Sequence, residues 1–133
     1  MVVKMFGTIS LKRAIYNLLV SNGISVSNGL PINSELPYVQ MGEMVVSDSS
    51  TKNTEDFEFE VTFHVWEWAI SELEFYQLFE DSTILALSEI VLEDTNFYIS
   101  DSKLVQSTML MDKLNNEPLM HGVFKINYKI SKK

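Results

Sequence analysis

The chain has 133 residues, 18 acidic against 10 basic side chains for a net charge of −8, and no cysteine. That length suits one domain with a real core (residues 1–133) and is short for two. No apolar stretch reaches the roughly 18 residues of a membrane span, a negative field repels the phosphates of nucleic acid, and without thiols there are no disulfides and no thiolate zinc site.

Met1-Val2-Val3-Lys4-Met5-Phe6 has no long apolar region or small-residue cleavage site, so no signal peptide is expected. Leu11, Ala14, Ile15, Leu18 and Leu19 recur at the spacing of one face of an amphipathic helix. Thr8 or Ser10 can cap its start, and Asn22-Gly23 supplies the stop. Ile24 to Leu36, with Asn28-Gly29 and Pro31, carries no sustained periodicity and reads as a connecting loop. Pro37 to Val46 reads as a first strand whose apolar parity changes near Gly42, where a bulge is expected. Asp48 to Glu55 is polar throughout and predicts a mobile hairpin tip.

The run Phe57-Glu58-Phe59-Glu60-Val61-Thr62-Phe63-His64-Val65-Trp66 alternates over ten positions. In an extended strand its odd residues share one side, and burying each supplies roughly 1.5–3 kcal/mol, enough to fix the register. The other side ends in His64, Trp66 and then Trp68. Two indoles and an imidazole in a row on a wet face call for a partner. Either indole can instead enter the core if the strand twists or bulges near Glu67.

Ser71-Glu72-Leu73-Glu74 fits a capping box opening a helix to about Glu89, with Leu73, Phe75, Tyr76, Leu78, Phe79, Ile84, Leu85 and Leu87 on a broad face packed flat on the sheet. Asp81-Ser82-Thr83 is its weak point. Asn96 to Met111 predicts a third strand interrupted at Ser100–Lys103, Asp112 to Pro118 a second polar tip, and Gly122 to Ile130 an alternating fourth strand. The expected fold is α+β, a mainly antiparallel four-stranded sheet of two β-hairpins with two helices on one face, in the order α-β-β-α-β-β.

Little in the sequence points to chemistry. His64 and His121 are far apart, and neither stands in a metal-ligand spacing. Glu58 and Glu60 share a strand face about 7 Å apart, yet that spacing occurs on almost any acidic strand, and a solvated or inter-subunit face explains it. No nucleophile elbow, Walker loop or dinucleotide fingerprint is present. No enzyme activity, cofactor or metal is expected. Seven methionines, among them Met41, Met44, Met109 and Met111, are read mostly as core filling.

Three segments carry a resemblance: Leu36-Pro37-Tyr38-Val39-Gln40-Met41-Gly42, the alternating strand ending Val65-Trp66, and His121-Gly122-Val123-Phe124-Lys125-Ile126. With the N-terminal helix they span nearly the whole chain, in an order similar to that of the tail-completion, or tail-terminator, proteins of long-tailed phages and phage-derived gene-transfer particles. Glu67-Trp68 departs from the basic or small polar residue that often follows the tryptophan there.

The resemblance implies a structural virion protein, assembled in the bacterial host cytoplasm, that forms a ring, a hexamer, on the head-proximal end of the tail tube. It implies itself, the tail-tube protein and a head-connector or neck protein as partners, with DNA passing through unbound by sequence. Interface residues expected on exposure and chemistry are His64, Trp66, Trp68, Glu58 and Glu60. Asp48, Ser49, Ser50, Thr51, Lys52 and Asn53 join them from the first tip, and Asp112, Lys113, Asn115 and Asn116 from the second. Glu58, Glu60 or the first tip is expected to face the channel or a neighbouring subunit. The other readings are a head-closure or neck adaptor of the same assembly, and an unrelated binding module with a Trp66–Trp68 pocket.

Overall fold

A computed structural model describes residues 7–27 and 36–133. Met1–Phe6 and the turn signals at Asn28-Gly29 and Pro31 lie outside the described residues. The elements are α1 (Thr8–Ser21), β1 (Val26–Ser27), β2 (Tyr38–Asp48), β3 (Asp56–Trp68), a 3-10 turn (Ala69–Ser71), α2 (Glu72–Leu87), β4 (Phe97–Leu114) and β5 (Glu117–Lys132).

The sheet has five strands in the order β1-β2-β3-β5-β4. This corrects the four-stranded antiparallel expectation: β1 runs parallel to β2, pairing Val26 with Val39 and Ser27 with Gln40. Two residues have no periodicity to read, so the segment reads as loop from sequence, although it pairs with β2 and Val26 packs on the core. The other three pairings are antiparallel. The hairpin β2–β3 shifts register between Met41 and Met44, where the change of parity near Gly42 predicts it.

Phe59, Val61, Phe63 and Val65 are wholly buried, with Phe57 at the end of the row. Phe63 lies opposite Phe124, their rings stacked at 4.7 Å and 11°. Phe124, Ile126, Tyr128 and Ile130 of β5 continue that layer, and Leu11, Ile15 and Leu19 of α1 with Phe75 and Phe79 of α2 close it. The Tyr128 hydroxyl, buried, donates to the Ala86 carbonyl at 2.7 Å and ties the end of α2 to the sheet; burial pushes the phenol's pKa up.

Both helix starts differ from expectation. Gly7, at φ 87°, takes the N-cap position of α1, with no side-chain cap. Ser10 Oγ instead accepts from the Asp94 N–H at 3.0 Å. Ser71 precedes α2 without a side-chain cap. The Ser82 and Thr83 hydroxyls donate to carbonyls one turn back, Leu78 and Phe79, at 2.7 Å each, and α2 runs through them unbroken. Its buried stripe is Phe75, Phe79, Ser82 and Ala86. Leu73 and Ile84, expected in the core, are exposed.

Small residues at the end of that stripe let the helix approach the sheet. At the other end of the stripe α2 rests on Gly122, where an added Cβ would lie 2.4 Å from the Phe79 ring and 3.0 Å from Phe75. β4 is continuous through Ser100–Lys103, accommodating its irregularity as register shifts between Ile99 and Asp101 and between Leu104 and Gln106.

Glu67, opposite Met120 on the helix-facing side, is 2% exposed. It accepts from the Trp68 N–H at 2.8 Å. Burial pushes its carboxyl upward, against that hydrogen bond, and nearby Glu74 adds to the rise. A carboxyl raised in the folded state stabilises fully below the unfolded pKa of about 4.3 and loses that contribution as pH rises through the folded value. Glu67→Gln keeps the acceptor and removes the ionisation. Its thermal midpoint should therefore exceed the parent's at neutral pH, and the gap should close on acidification towards about pH 4. A constant gap across that range would show that Glu67 does not titrate differently on folding.

Candidate assembly surfaces

The even-numbered residues of β3 point away from the helices, and at the Trp end of that face they meet a second, smaller cluster. Tyr38, Trp66 and Leu119 are buried in it, with Leu36, Trp68 and Leu114 packed alongside. The pairing of β3 with β5 sets Trp66 beside His121 and His64 beside Val123. The His121 ring stacks on Trp66 at 3.7 Å and 8°, and His64 Nδ1 lies 2.8 Å from His121 Nε2. The Trp66 indole N–H donates to Gln40 Oε1 at 3.4 Å. Gly42 leaves room for the His64 ring, since a Cβ there would lie 3.0 Å from it.

The two histidines, far apart in sequence, meet in the fold. Strand register, not sequence distance, brings them together; the signal was the outward parity His121 shares with Val123. Tyr38, Gln40, His121 and Leu119 complete the cluster, and none of them is among the interface residues expected from sequence. The Tyr38 hydroxyl is buried with no hydrogen-bond partner among the described residues; an unmet hydroxyl of this kind costs about 1–3 kcal/mol.

Only one proton fits between His64 and His121, so one ring donates and the other accepts. Burial lowers both pKa values, and His64 lowers that of His121 further. Glu43 opposes the shift at His64 and Asp112 at His121. A histidine depressed in the folded state gives its full contribution above the unfolded pKa of about 6.5 and loses it as pH falls through the folded value. Urea unfolding should therefore show stability falling from about pH 7.5 to 5.5, and the His64→Gln/His121→Gln double variant should lose less over that window. An equal loss in both proteins would mean that the pair carries no proton linkage.

The remaining expected interface residues are dispersed. Glu58 is half-buried, accepts from Asn127 Nδ2 at 2.8 Å and sits opposite Lys129; Glu60 lies opposite Asn127. The first tip stands at the other end of the sheet from the indoles. Asp48 accepts from the Ser50 N–H at 2.8 Å, and the Ser50 hydroxyl first, then this N–H, hold its carboxyl below the usual range. Ser49 N–H donates to the Asp56 carbonyl, Thr51 and Thr54 hydroxyls meet at 2.7 Å, and Asn53 N–H reaches Thr51 Oγ1 at 3.3 Å. Lys52 is exposed between them. The tip expected to be mobile is thus tied together by its own short polar side chains.

The second tip is shorter than expected, because β4 and β5 run on to Leu114 and Glu117. Asn115 and Asn116, at φ 53° and 67°, make the two-residue turn that suits asparagine in a hairpin. Asp112 and Lys113 belong to the strand, where Asp112 Oδ1 accepts from the Lys113 N–H at 2.8 Å. Leu114 packs on the Trp66 cluster, so this tip and the indoles form one end of the molecule. Among the described residues no group of three or more His, Cys, Asp or Glu can hold a metal ion, and no helix is long and apolar enough to cross a membrane.

No family model matches the chain, and no curated protein matches it. Its fold does match a solved structure: a chain from the virion of a native gene transfer agent particle superposes with a TM-score of 0.76 over 96% of this chain and 99% of that one. At 14% identity the likeness is one of fold. The shared fold spans nearly the whole of both chains.

Proposed function

We propose that this chain is a structural virion protein that assembles as a ring, a hexamer, on the head-proximal end of a tail tube, ends tube growth and presents a surface to the head connector. The full-length likeness to a chain of a gene transfer agent virion carries the reading, and the three sequence segments that resemble tail terminators supply the finer role. The aromatic end of the sheet adds to it: Trp68, only partly buried beside the Trp66 cluster, is of the type that anchors interfaces. In this reading the chain acts by binding, without catalysis.

DNA passing through such a ring calls for an acidic lining. Glu58 and Glu60 suit this less than expected, beside Lys129 and Asn127. α2 suits it better. Glu72, Glu74, Glu80 and Asp81 are exposed on it, and no lysine or arginine occurs between Lys52 and Lys103.

The test is to mix the purified chain with a tail-tube protein from the same genome and image the products by negative stain. Capped tubes of arrested length, bearing a ring at one end, are expected. Tubes that grow unchanged, with the chain instead bound to a purified head connector, would replace this role with that of a neck adaptor.

A further inference from the structure

The two helices bury their inner sides on the core, and their outer sides are matched in charge. α1 carries Lys12 and Arg13 and no acidic residue; α2 carries Glu72, Glu74, Glu80 and Asp81 and no basic one. Each also holds large apolar side chains that the core does not use: Ile9, Tyr16 and Val20 on α1, Leu73 and Ile84 on α2.

Spacing sets these residues in two equivalent rows. On α1 the side opposite Leu11, Ile15 and Leu19 runs Ile9, Arg13, Tyr16, Val20. On α2 the side opposite Phe75, Phe79 and Ala86 runs Leu73, Gln77, Glu80, Ile84. Both advance by four, three and four residues, the steps that keep side chains on one face of a helix. All eight are exposed, so each row is open to solvent in the single chain. Rows of this kind interdigitate when two helices lie side by side.

With the helices antiparallel, Ile9 falls beside Ile84, Arg13 beside Glu80, Tyr16 beside Gln77 and Val20 beside Leu73. Run parallel, Arg13 would meet Gln77, and Glu80 would meet the Tyr16 ring. Charge therefore selects the antiparallel arrangement. Arg13 reaches Glu93 at 3.5 Å, an exposed pair whose exchange for Glu80 costs little.

We propose that α1 of one copy seats antiparallel on α2 of the next, through the Ile9–Val20 and Leu73–Ile84 rows. A second copy is the occupant because each row supplies what the other lacks, a cation for a carboxylate, with apolar residues meeting at both ends. This rests on the ring reading and names the contact that closes it. Two different patches meet, so the contact is head-to-tail and can repeat around a ring. Glu80 is taken up in it, while Glu74 and Asp81, seven residues apart on one side of the row, stay free to line the channel.

The chain has no cysteine, which makes introduced thiols unambiguous. Val20→Cys and Leu73→Cys alter exposed side chains and leave the core intact. Under mild oxidation an equal mixture of the two variants should give disulfide-linked dimers in roughly ten-fold or greater excess over either variant alone, because docking holds the two thiols at high effective concentration. Ile9→Cys mixed with Leu73→Cys should give no such excess, since Ile9 stands about 16 Å along the helix from Val20. Dimers from that second mixture in place of the first would overturn the antiparallel contact. The chain carrying both Val20→Cys and Leu73→Cys should give a ladder that stops at the ring. A twice-linked dimer with no ladder would uphold the helix contact and overturn the ring reading. No mixed dimer, while light scattering shows the parent chain as a ring, would overturn this contact and leave the ring reading standing. No mixed dimer from a parent that stays monomeric, even with tube protein present, would overturn both.

Discussion

Phe63→Ala is expected to lower the unfolding free energy by about 3–5 kcal/mol. The side chain is wholly buried in the central pair of strands, β3 and β5, and its ring stacks on Phe124 at 4.7 Å. Truncation removes both the transfer free energy and the ring contact and leaves a hole. Strands hydrogen-bonded on both sides have little freedom to collapse into it. Against a typical stability of about 5–15 kcal/mol this is a large share of the total. Urea unfolding followed by far-ultraviolet circular dichroism checks it. A double-mutant cycle with Phe124→Ala should return a coupling of about 0.5–1.5 kcal/mol beyond area burial. Additive losses would mean that the two rings share space without interacting.

The second large effect comes from the smallest residue. Gly122→Ala places a methyl group 2.4 Å from two atoms of the Phe79 ring, closer than atoms can approach. Either Phe79 leaves its place or α2 lifts from β5, and overpacking of this kind typically costs about 1–3 kcal/mol. Phe79→Leu in the same chain should recover part of the loss, since a smaller side chain leaves room for the methyl. An unchanged thermal midpoint in Gly122→Ala would show that α2 does not rest on the sheet at this point.

Gly122 also shows which parts of the fold were legible. The alternation of Phe57–Val65 and of Phe124–Ile130 reads directly as two half-buried strands, because period two leaves no other arrangement of so many large apolar groups. The stripe Leu11, Ile15, Leu19 is equally direct. What α2 buries does not follow from its apolar residues. Leu73 and Ile84 count as apolar in any sequence reading, yet the sheet selects Phe75, Phe79, Ser82 and Ala86, where small side chains and a self-satisfied hydroxyl permit close contact. β1 escapes a sequence reading for another reason: two residues carry no period, although Val26 packs on the core.

Of the candidate surface, the indoles stood out by parity, but their company did not. His121 reaches Trp66 only through the register of β3 on β5, which spans more than fifty residues of sequence. Met109 and Met111 look like core filling until the sheet order makes β4 an edge. Period tells which face a side chain occupies; it does not tell whether another strand lies beyond it.

The Trp66–His121 stack gives the protein a spectroscopic signal of its own. Trp66 and Trp68 are the chain's two tryptophans, so all indole emission originates at one end of the sheet. A protonated imidazole in face contact with an indole quenches its excited state, and a docked neighbour excludes the water that shifts its colour. Unlabelled protein should thus report, through brightness and wavelength respectively, on acidity and on whatever comes to rest against that end.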